Sequence, residues 1–263
     1  MKRATTVLII SFVWVIGYLF IGEVLSQPAW AESHVQSTME TRAMVALQVD
    51  MTELQKWVPE VMQIVPAPAG PFTGANLFIV FIDVFLLQDP QGKPLMGGTY
   101  RNAVLVVPAK HNTTGEMVFL VIDGLTDNPE NVPGAYKKFK LAAIRRNLNH
   151  SISAANTGEG SDNWECKDNL GVLIDFHVKY ERALPMRAKP VQKIYSGAEP
   201  TFYRIYKSDY LVDVVKSVPA KIDRSKDYRL KVSMPELAKL FDGTEQLVAI
   251  ALFPAYVRNV FLP

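Results

Sequence analysis

Two adjacent lysines, Lys137 and Lys138, are the residues of this sequence that most directly suggest chemistry. They lie in Gly134-Ala-Tyr-Lys-Lys-Phe139. If one ammonium group points into an apolar cavity beside the other, desolvation and like-charge repulsion both lower its pKa. A neutral amine at pH 7 then requires roughly 4 to 5 kcal/mol of differential destabilisation. Such an amine attacks a ketone and forms a Schiff base. The alternative is an ordinary pair of solvated lysines at the surface.

Other catalytic signatures are absent from the sequence. The four histidines are scattered, and neither His-Glu-x-x-His nor Cys-x-x-Cys occurs, so we predict no metal site. The Gly-x-Ser-x-Gly elbow of serine hydrolases and the glycine-rich loops of nucleotide-binding proteins do not occur either. Cys166 is the single cysteine, and we predict a bland thiol in a polar loop at positions 161–168.

The composition predicts one globular domain with a full hydrophobic core. The 263 residues include 28 Lys and Arg against 26 Asp and Glu, and 49% of them are hydrophobic. These values exclude the disordered and collagen-like classes. The nearly neutral chain has no long basic run, so we do not expect a nucleic-acid partner.

The first residues have the pattern of a signal peptide. Lys2 and Arg3 precede an uncharged apolar stretch at positions 4–22, and Ala29-Trp-Ala31 supplies the small residues that a signal peptidase reads. We therefore predict a signal peptide at 1–31, cleavage after Ala31, and one secreted or periplasmic domain at 32–263 that does not associate with the membrane. The alternative is an uncleaved anchor, since a membrane-spanning helix needs about 20 apolar residues.

Strand patterns dominate the mature chain. Many β-branched or aromatic segments without regular intervening helices favour an antiparallel barrel or sandwich. The predicted strands are 77–87, 103–107, 117–122, 171–180, 228–232 and 246–252.

Two helices are also predicted. The first is capped by Asp50 and has one buried face formed by Leu54, Trp57, Val58 and Val61. The second begins after Ser233, with Leu237, Leu240 and Phe241 as its apolar stripe, and ends at Gly243.

Four segments resemble the acetoacetate decarboxylase family in their order and approximate spacing. The lysine element is similar to that family's Ala-Tyr-Pro-Lys-Lys-Leu, with the proline missing, and 49–60 is similar to its Asp-Met-x-x-Leu-x-x-x-Val-Pro-Glu helix. Gly98-Thr-Tyr-Arg-Asn102 and the strand at 115–123 resemble the strand pair that leads into the lysines, and 248–262 resembles the closing strand. The match is good over about residues 45–140 and weak after them. The resemblance implies an α+β fold, an antiparallel cone-like β-barrel with a few flanking helices, and a homo-oligomer.

The resemblance also implies roles for the lysine element. Lys137 would form a Schiff base with a small-molecule β-keto acid such as acetoacetate, and Lys138 would lower the pKa of Lys137. Tyr136 is a candidate substrate-binding residue beside them. Decarboxylation by this route needs no cofactor.

The remaining site candidates match the family less closely. Asn102 stands where the family has an acid, and an amide can form hydrogen bonds but cannot exchange a proton, which weakens the case for decarboxylation and not for Schiff-base formation. Asp83 aligns with the position of a second family carboxylate after a one-residue shift. The alternative interpretation is that Asp83 is an outward-facing residue of a strand. Arg42, two residues out of register, and Arg101 are candidate clamps for the substrate carboxylate.

Three functional hypotheses remain open at this point. The first is a Schiff-base lyase that decarboxylates a β-keto acid, or a relative that performs aldol or dehydration chemistry on another oxo acid. The second is a barrel that binds a small carbonyl compound without turnover. The third is a structural or adhesive exported domain whose lysines face water.

Overall fold

The computed structural model of this protein describes residues 32–95, 97–131, 136, 139–152 and 158–263. Glu32–Pro263 form one unit. The predicted signal peptide at 1–31 lies outside the described residues, so the leader and its cleavage site stay predictions.

β-Strands make up most of the described chain, and six of them contain or largely overlap the predicted strands. The strands are β1 (Ser33–Gln48), β2 (Met62–Ile64), β3 (Leu77–Gln88), β4 (Tyr100–His111), β5 (Met117–Thr126), β6 (Phe139–Leu141), β7 (Ala143–Ile152), β8 (Gly158–Lys167), β9 (Leu173–Glu181), β10 (Met186–Ala188), β11 (Val191–Ser196), β12 (Tyr203–Ser217), β13 (Ile222–Asp223), β14 (Ser225–Ser233) and β15 (Gln246–Leu262).

Seven of these strands close into a barrel. Their hydrogen-bonded order is β4-β3-β1-β15-β12-β11-β5, and β5 pairs with β4 to complete the ring. All pairings are antiparallel except that of β5 with β11, which is parallel. The predicted barrel with few helices is confirmed, as a mixed barrel. Strands β14, β9, β8 and β7 form a second, antiparallel sheet.

Strand β3 shows how the sequence separates the barrel interior from the core outside it. Phe78, Val80 and Ile82 face the inside of the barrel. The alternate residues face the second sheet, where the ring of Phe81 lies 5.2 Å from that of Phe176 and 5.4 Å from that of Trp164, between centroids. Both faces are therefore buried, which explains why β3 is apolar nearly throughout.

The first predicted helix is shorter than its apolar pattern indicated. Helix α1 spans Met51–Gln55, and the Asp50 carboxylate accepts a hydrogen bond of 2.8 Å from the backbone N–H of Glu53, as the capping pattern predicted. Val58 is buried, but Val61 is 44% exposed. The prediction of one long buried face was wrong because Pro59 disfavours helical geometry at Val58 and lacks the N–H of the next turn.

The second predicted helix is a single 3₁₀ turn, Pro235–Leu237. Its apolar residues Leu237 and Leu240 are buried as expected, but the hydrogen bonds run over three residues and not four. Pro235 stands at the start of this turn, and Gly243 (φ 96°) ends the segment as predicted. Within the described part of the chain, no helix is long and apolar enough to cross a membrane.

The prediction of a polar loop around Cys166 was also wrong. This segment belongs to β8, and its alternate residues Asp162, Trp164 and Cys166 are buried. The polar residues between them gave the segment its loop-like composition, although they occupy the outer positions of a period-two strand. Burial raises the pKa of the Cys166 thiol to about 12.

Candidate active site

The interior of the barrel holds a cavity of about 660 Å³. Its walls are the inward-facing residues of the barrel strands. The alternation of inward-facing and outward-facing residues along each strand therefore determines both the barrel and the lining of its cavity. Most of the lining is apolar, with contributions from Met44, Phe78, Val80, Val104, Val106, Phe119, Val121, Ile194 and Val214. The described residues that line the cavity include two charged side chains, Arg42 and Arg258.

Both arginines contact one buried carboxylate, Glu40. Nη2 of Arg258 donates to Oε2 of Glu40 at 3.3 Å, and Nε of Arg42 donates to Oε1 at 2.9 Å. The Glu40 side chain is 0% exposed and that of Arg258 is 9% exposed. Two guanidinium groups against one carboxylate give this cluster a net charge of +1 (2 − 1) at one end of an apolar cavity.

Tyrosines enclose the same cluster. The guanidinium of Arg42 lies 3.6 Å from the ring centroid of Tyr256, and that of Arg258 lies 4.8 Å from the centroid of Tyr206. Burial by itself lowers the pKa of Arg258, but the Glu40 carboxylate and the surrounding tyrosines outweigh it and raise that pKa overall. Arg258 is therefore a permanent buried cation.

Asn102 lines the cavity near this cluster and brings an unsatisfied acceptor. It is buried, and among the described residues its Oδ1 has no hydrogen-bond partner. An unpaired buried polar atom costs about 1–3 kcal/mol. A bound molecule with an N–H or O–H donor at this position would remove that cost.

Lys137 and Lys138 lie outside the described residues, but the residues on either side of them are described and line the cavity. The hydroxyl of Tyr136 donates to the carbonyl oxygen of Ile194 at 3.0 Å and lies 3.5 Å from the hydroxyl of Tyr206. Burial, and then the neighbouring Tyr206, raise the pKa of Tyr136 well above its usual value. This phenol therefore stays neutral and acts as a hydrogen-bonding group.

Phe139, which follows the lysine pair, packs directly on a glycine. A Cβ atom added to Gly124 would lie 2.2 Å from Cε1 of the Phe139 ring. No side chain fits there without moving this ring. Gly124 therefore fixes the position of the Phe139 ring, on the first described residue after the two lysines.

Two predicted site residues, Asp83 and Arg101, do not reach the cavity. Their strand neighbours Ile82, Tyr100 and Asn102 line it, so alternation directs Asp83 and Arg101 to the outside of the barrel. There Asp83 pairs with Nε of Arg101 at 3.2 Å and with Nη1 of Arg146 at 3.2 Å. The structure thus brings Arg42, Asn102 and Tyr136 together, and it leaves Asp83 and Arg101 in an external ion-pair cluster.

Sequence reasoning missed Glu40, Arg258 and Tyr206. Glu40 and Arg258 are charged residues in strands that are otherwise apolar or that alternate polar and apolar residues. A charged residue that faces the interior from such a strand is a signal of a functional site. This signal required knowing which face of each strand is inside. In the described ranges, no three His, Cys, Asp or Glu side chains are grouped so that they could hold a metal ion.

Comparison with known proteins finds structural relatives but no close sequence relative. No family model matches the chain, and no curated protein matches it. An acetoacetate decarboxylase-like enzyme from Sphingomonas wittichii RW1 superposes with a TM-score of 0.55 at 12% identity, over 92% of this chain and 99% of that one. The enduracididine biosynthesis enzyme MppR complexed with pyruvate gives 0.52 at 11% identity, over 94% and 95%. Acetoacetate decarboxylase from Legionella pneumophila gives 0.50 at 15% identity, over 91% of each chain.

Each of these three superpositions extends over nine-tenths of this chain, including its closed seven-stranded barrel. This protein has the acetoacetate decarboxylase-like fold, as its sequence motifs implied. At 11–15% identity the likeness establishes the fold and leaves the reaction to the residues of the site.

Proposed function

We propose that this protein is an enzyme that forms a Schiff base between Lys137 and an oxo acid held in the barrel cavity. The observation that carries the proposal is the position of Tyr136 and Phe139. These residues flank the lysine pair in the sequence, and both line the cavity that contains Arg42 and Arg258. The pyruvate complex of MppR, a protein of the same fold, is a precedent for an oxo acid as ligand.

The chemistry needs a neutral amine and a bound carbonyl. The lone pair of Lys137 Nζ attacks the carbonyl carbon and gives a neutral carbinolamine, which takes up one proton from solvent and loses one water to become a protonated imine. With Lys137 projecting into the apolar cavity, as we propose, desolvation, the adjacent Lys138 and the surplus positive charge of the Glu40, Arg42 and Arg258 cluster would all favour its neutral form. The unpaired Oδ1 of Asn102 is an acceptor for the carbinolamine hydroxyl or the imine N–H.

The first candidate reaction is decarboxylation of a β-keto acid. The electron pair of the bond to the carboxylate moves into the iminium group, carbon dioxide leaves, and the resulting enamine takes a proton on carbon. Water then hydrolyses the imine, which releases the ketone and restores the lysine. No cofactor takes part in this sequence.

A second candidate is aldol or dehydration chemistry in which the carboxylate is kept, and two observations favour it. Asn102 cannot supply the proton that the family's acid is placed to exchange. A guanidinium that pairs with the substrate carboxylate stabilises the reactant more than a transition state in which charge has left that carboxylate. Arg42 and Arg258 therefore suit a reaction in which the carboxylate remains.

One experiment separates these reactions. The mature chain is incubated in D₂O with a panel of 2-oxo and 3-oxo acids, and the products are followed by NMR. Loss of carbon dioxide indicates the decarboxylase. Deuterium exchange on the carbon beside the carbonyl, with the carboxylate intact, indicates enamine formation without decarboxylation. If the folded protein binds the acids and catalyses neither change, it is a binding protein and the proposal is wrong.

A further inference from the structure

We infer that the oxo acid taken by this cavity carries a long apolar chain behind its anionic head and is much larger than acetoacetate. The inference rests on the proposed function only in assigning the head group a reactive carbonyl. The size and polarity of the site carry the rest.

The first argument is volume. Cavities of about 300–1,000 Å³ suit ligands of drug size. The cavity here measures about 660 Å³, which is far more than a four-carbon acid fills. An apolar space left empty around a small ligand contributes no contacts, so a small acid gains little from this site.

The second argument is the separation of polar and apolar lining along the barrel. Ile82 pairs with Asn102 and with Arg42, which places the β3 residue Ile82 level with the polar end. Phe78, four residues earlier on the same strand, pairs with Val106. At about 3.3 Å per residue, these two levels are about 13 Å apart. Beyond Asn102, the lining toward Phe78 includes Val104, Val106 and Phe119.

The third argument is the charge of the polar end. Glu40 neutralises one of the two guanidinium groups, and the surplus of one positive charge sits where water is largely excluded. A single carboxylate balances this charge, and its oxygens suit the planar donors of arginine. The site is therefore matched to a monoanion, with the anion at the Arg258 end.

The fourth argument is the mouth of the cavity. Four lining residues are exposed and mark the opening, and all four are apolar: Pro68, Ala69, Met117 and Met186. Met117 is 50% exposed and Met186 is 61% exposed. Methionine side chains adapt to apolar ligands of varied shape. Met117 is two residues from Phe119 on β5, so a ligand chain that follows the apolar wall away from the Arg258 end reaches this exposed methionine.

The test is a chain-length series on the folded mature protein. Saturated acids from butanoate to dodecanoate are titrated by calorimetry below their micelle concentrations, with decanol as the uncharged comparison. Each added methylene should tighten binding about fourfold, which corresponds to about 0.8 kcal/mol per buried CH₂. Decanol should bind at least tenfold more weakly than decanoate. Equal affinities along the series, or equal affinities of decanol and decanoate, would overturn the inference.

Two matched variants test where the chain lies. Val106→Phe narrows the apolar half of the cavity. It should lower the affinity for dodecanoate at least tenfold and leave the affinity for butanoate unchanged. Val257→Phe is the control, since Val257 is on the barrel strand β15 but is exposed at the outside. Val257→Phe should leave the affinities for all acids of the series unchanged. If both variants melt at the wild-type temperature and Val106→Phe does not shorten the preferred chain, the placement is wrong.

Repeating the series with 3-oxo acids and borohydride distinguishes the two proposals. Binding that depends on chain length, without any covalent adduct, would support the proposed substrate class and contradict the proposed Schiff-base function. If the adduct forms as efficiently with acetoacetate as with 3-oxodecanoate, the result would support the Schiff-base function and contradict the proposal of a long-chain substrate.

Discussion

Arg258 donates a hydrogen bond of 3.3 Å to Glu40 inside the barrel, although the two residues are 218 positions apart in the chain. Strands β1 and β15 pair along their length, with Arg258 opposite Thr38 and Tyr256 opposite Glu40, so Arg258 and Glu40 are diagonal neighbours. Arg42 contacts the other oxygen of the same carboxylate. The proposed anion site therefore depends on a three-residue cluster whose net charge can be changed one unit at a time.

Changing that charge tests whether it selects the ligand. Arg258→Met leaves Glu40 paired with Arg42 and a net charge of zero, so decanoate affinity should fall at least tenfold, and stability should fall by about 3 kcal/mol because a buried ion pair is broken. Arg258→Met with Glu40→Gln restores the net charge of +1. Calorimetry should show recovered binding in the double variant. Equal loss of binding in both variants, with both folded, would mean that net charge does not select the ligand.

Gly124→Ala tests the support of the lysine element. The added Cβ would displace the Phe139 ring, so we expect a loss of about 1–3 kcal/mol of stability from overpacking and a large fall in the rate of imine formation. Gly160→Ala is the matched control, because its Cβ would lie 2.4 Å from the Tyr180 ring in the second sheet. It should cost similar stability in a urea melt and leave imine formation unchanged. Equal rates in the two variants would contradict the role of Gly124.

Asn102→Glu tests how much the rate of decarboxylation is lowered by the lack of an acid at position 102. A carboxyl at this position can donate a proton to the enamine carbon, so carbon dioxide release from a 3-oxo acid should rise by about a hundredfold. Asn102→Gln is the control, since it has the same length and cannot exchange a proton. Carbon dioxide is measured directly for both variants. No gain in Asn102→Glu, with the fold intact, would show that position 102 does not limit decarboxylation.

Cys166 should be chemically silent in the folded protein. Burial raises its pKa to about 12, so the thiol stays protonated at pH 8 and pH 9 while an unfolded cysteine, with its pKa of about 8.5, is increasingly a thiolate. Iodoacetamide labelling at pH 9 should require urea, and mass spectrometry measures it. The same shift favours unfolding as the pH rises above the unfolded pKa, because only the unfolded chain then loses the proton. Rapid labelling of the native protein would contradict the buried position.

The sequence predicts the strands better than it predicts the cavity. The strand predicted at 77–87 agrees with β3 because its apolar residues are buried on both faces and leave a continuous signal. Strand β1 was not predicted, since its inward residues Thr38, Glu40 and Arg42 are polar and hide the alternation. The polar residues that contribute to the buried charge cluster are therefore the same ones that obscured the strand.

The site candidates that line the cavity came from the family resemblance. Asn102 and Tyr136 lie in segments that resemble the family's motifs, and Arg42 was the nearest arginine to a family position, two residues out of register. All three line the cavity. Glu40 and Arg258 become a pair only when β1 meets β15, so no local pattern connects them. Asp83 and Arg101 carry suitable chemistry, but alternation turns them outward, which cannot be read before the faces of the strands are known.

The most direct test of this account is reductive trapping. The folded protein is incubated with 3-oxodecanoate, treated with borohydride and digested, and the modified lysine is located by mass spectrometry. We predict one adduct, on Lys137, that is absent from Lys137→Arg, strongly slowed in Lys138→Gln and unchanged in Lys110→Arg, an exposed lysine on β4. An adduct on a different lysine, or no adduct with any oxo acid in a folded protein, would contradict Schiff-base chemistry in this barrel.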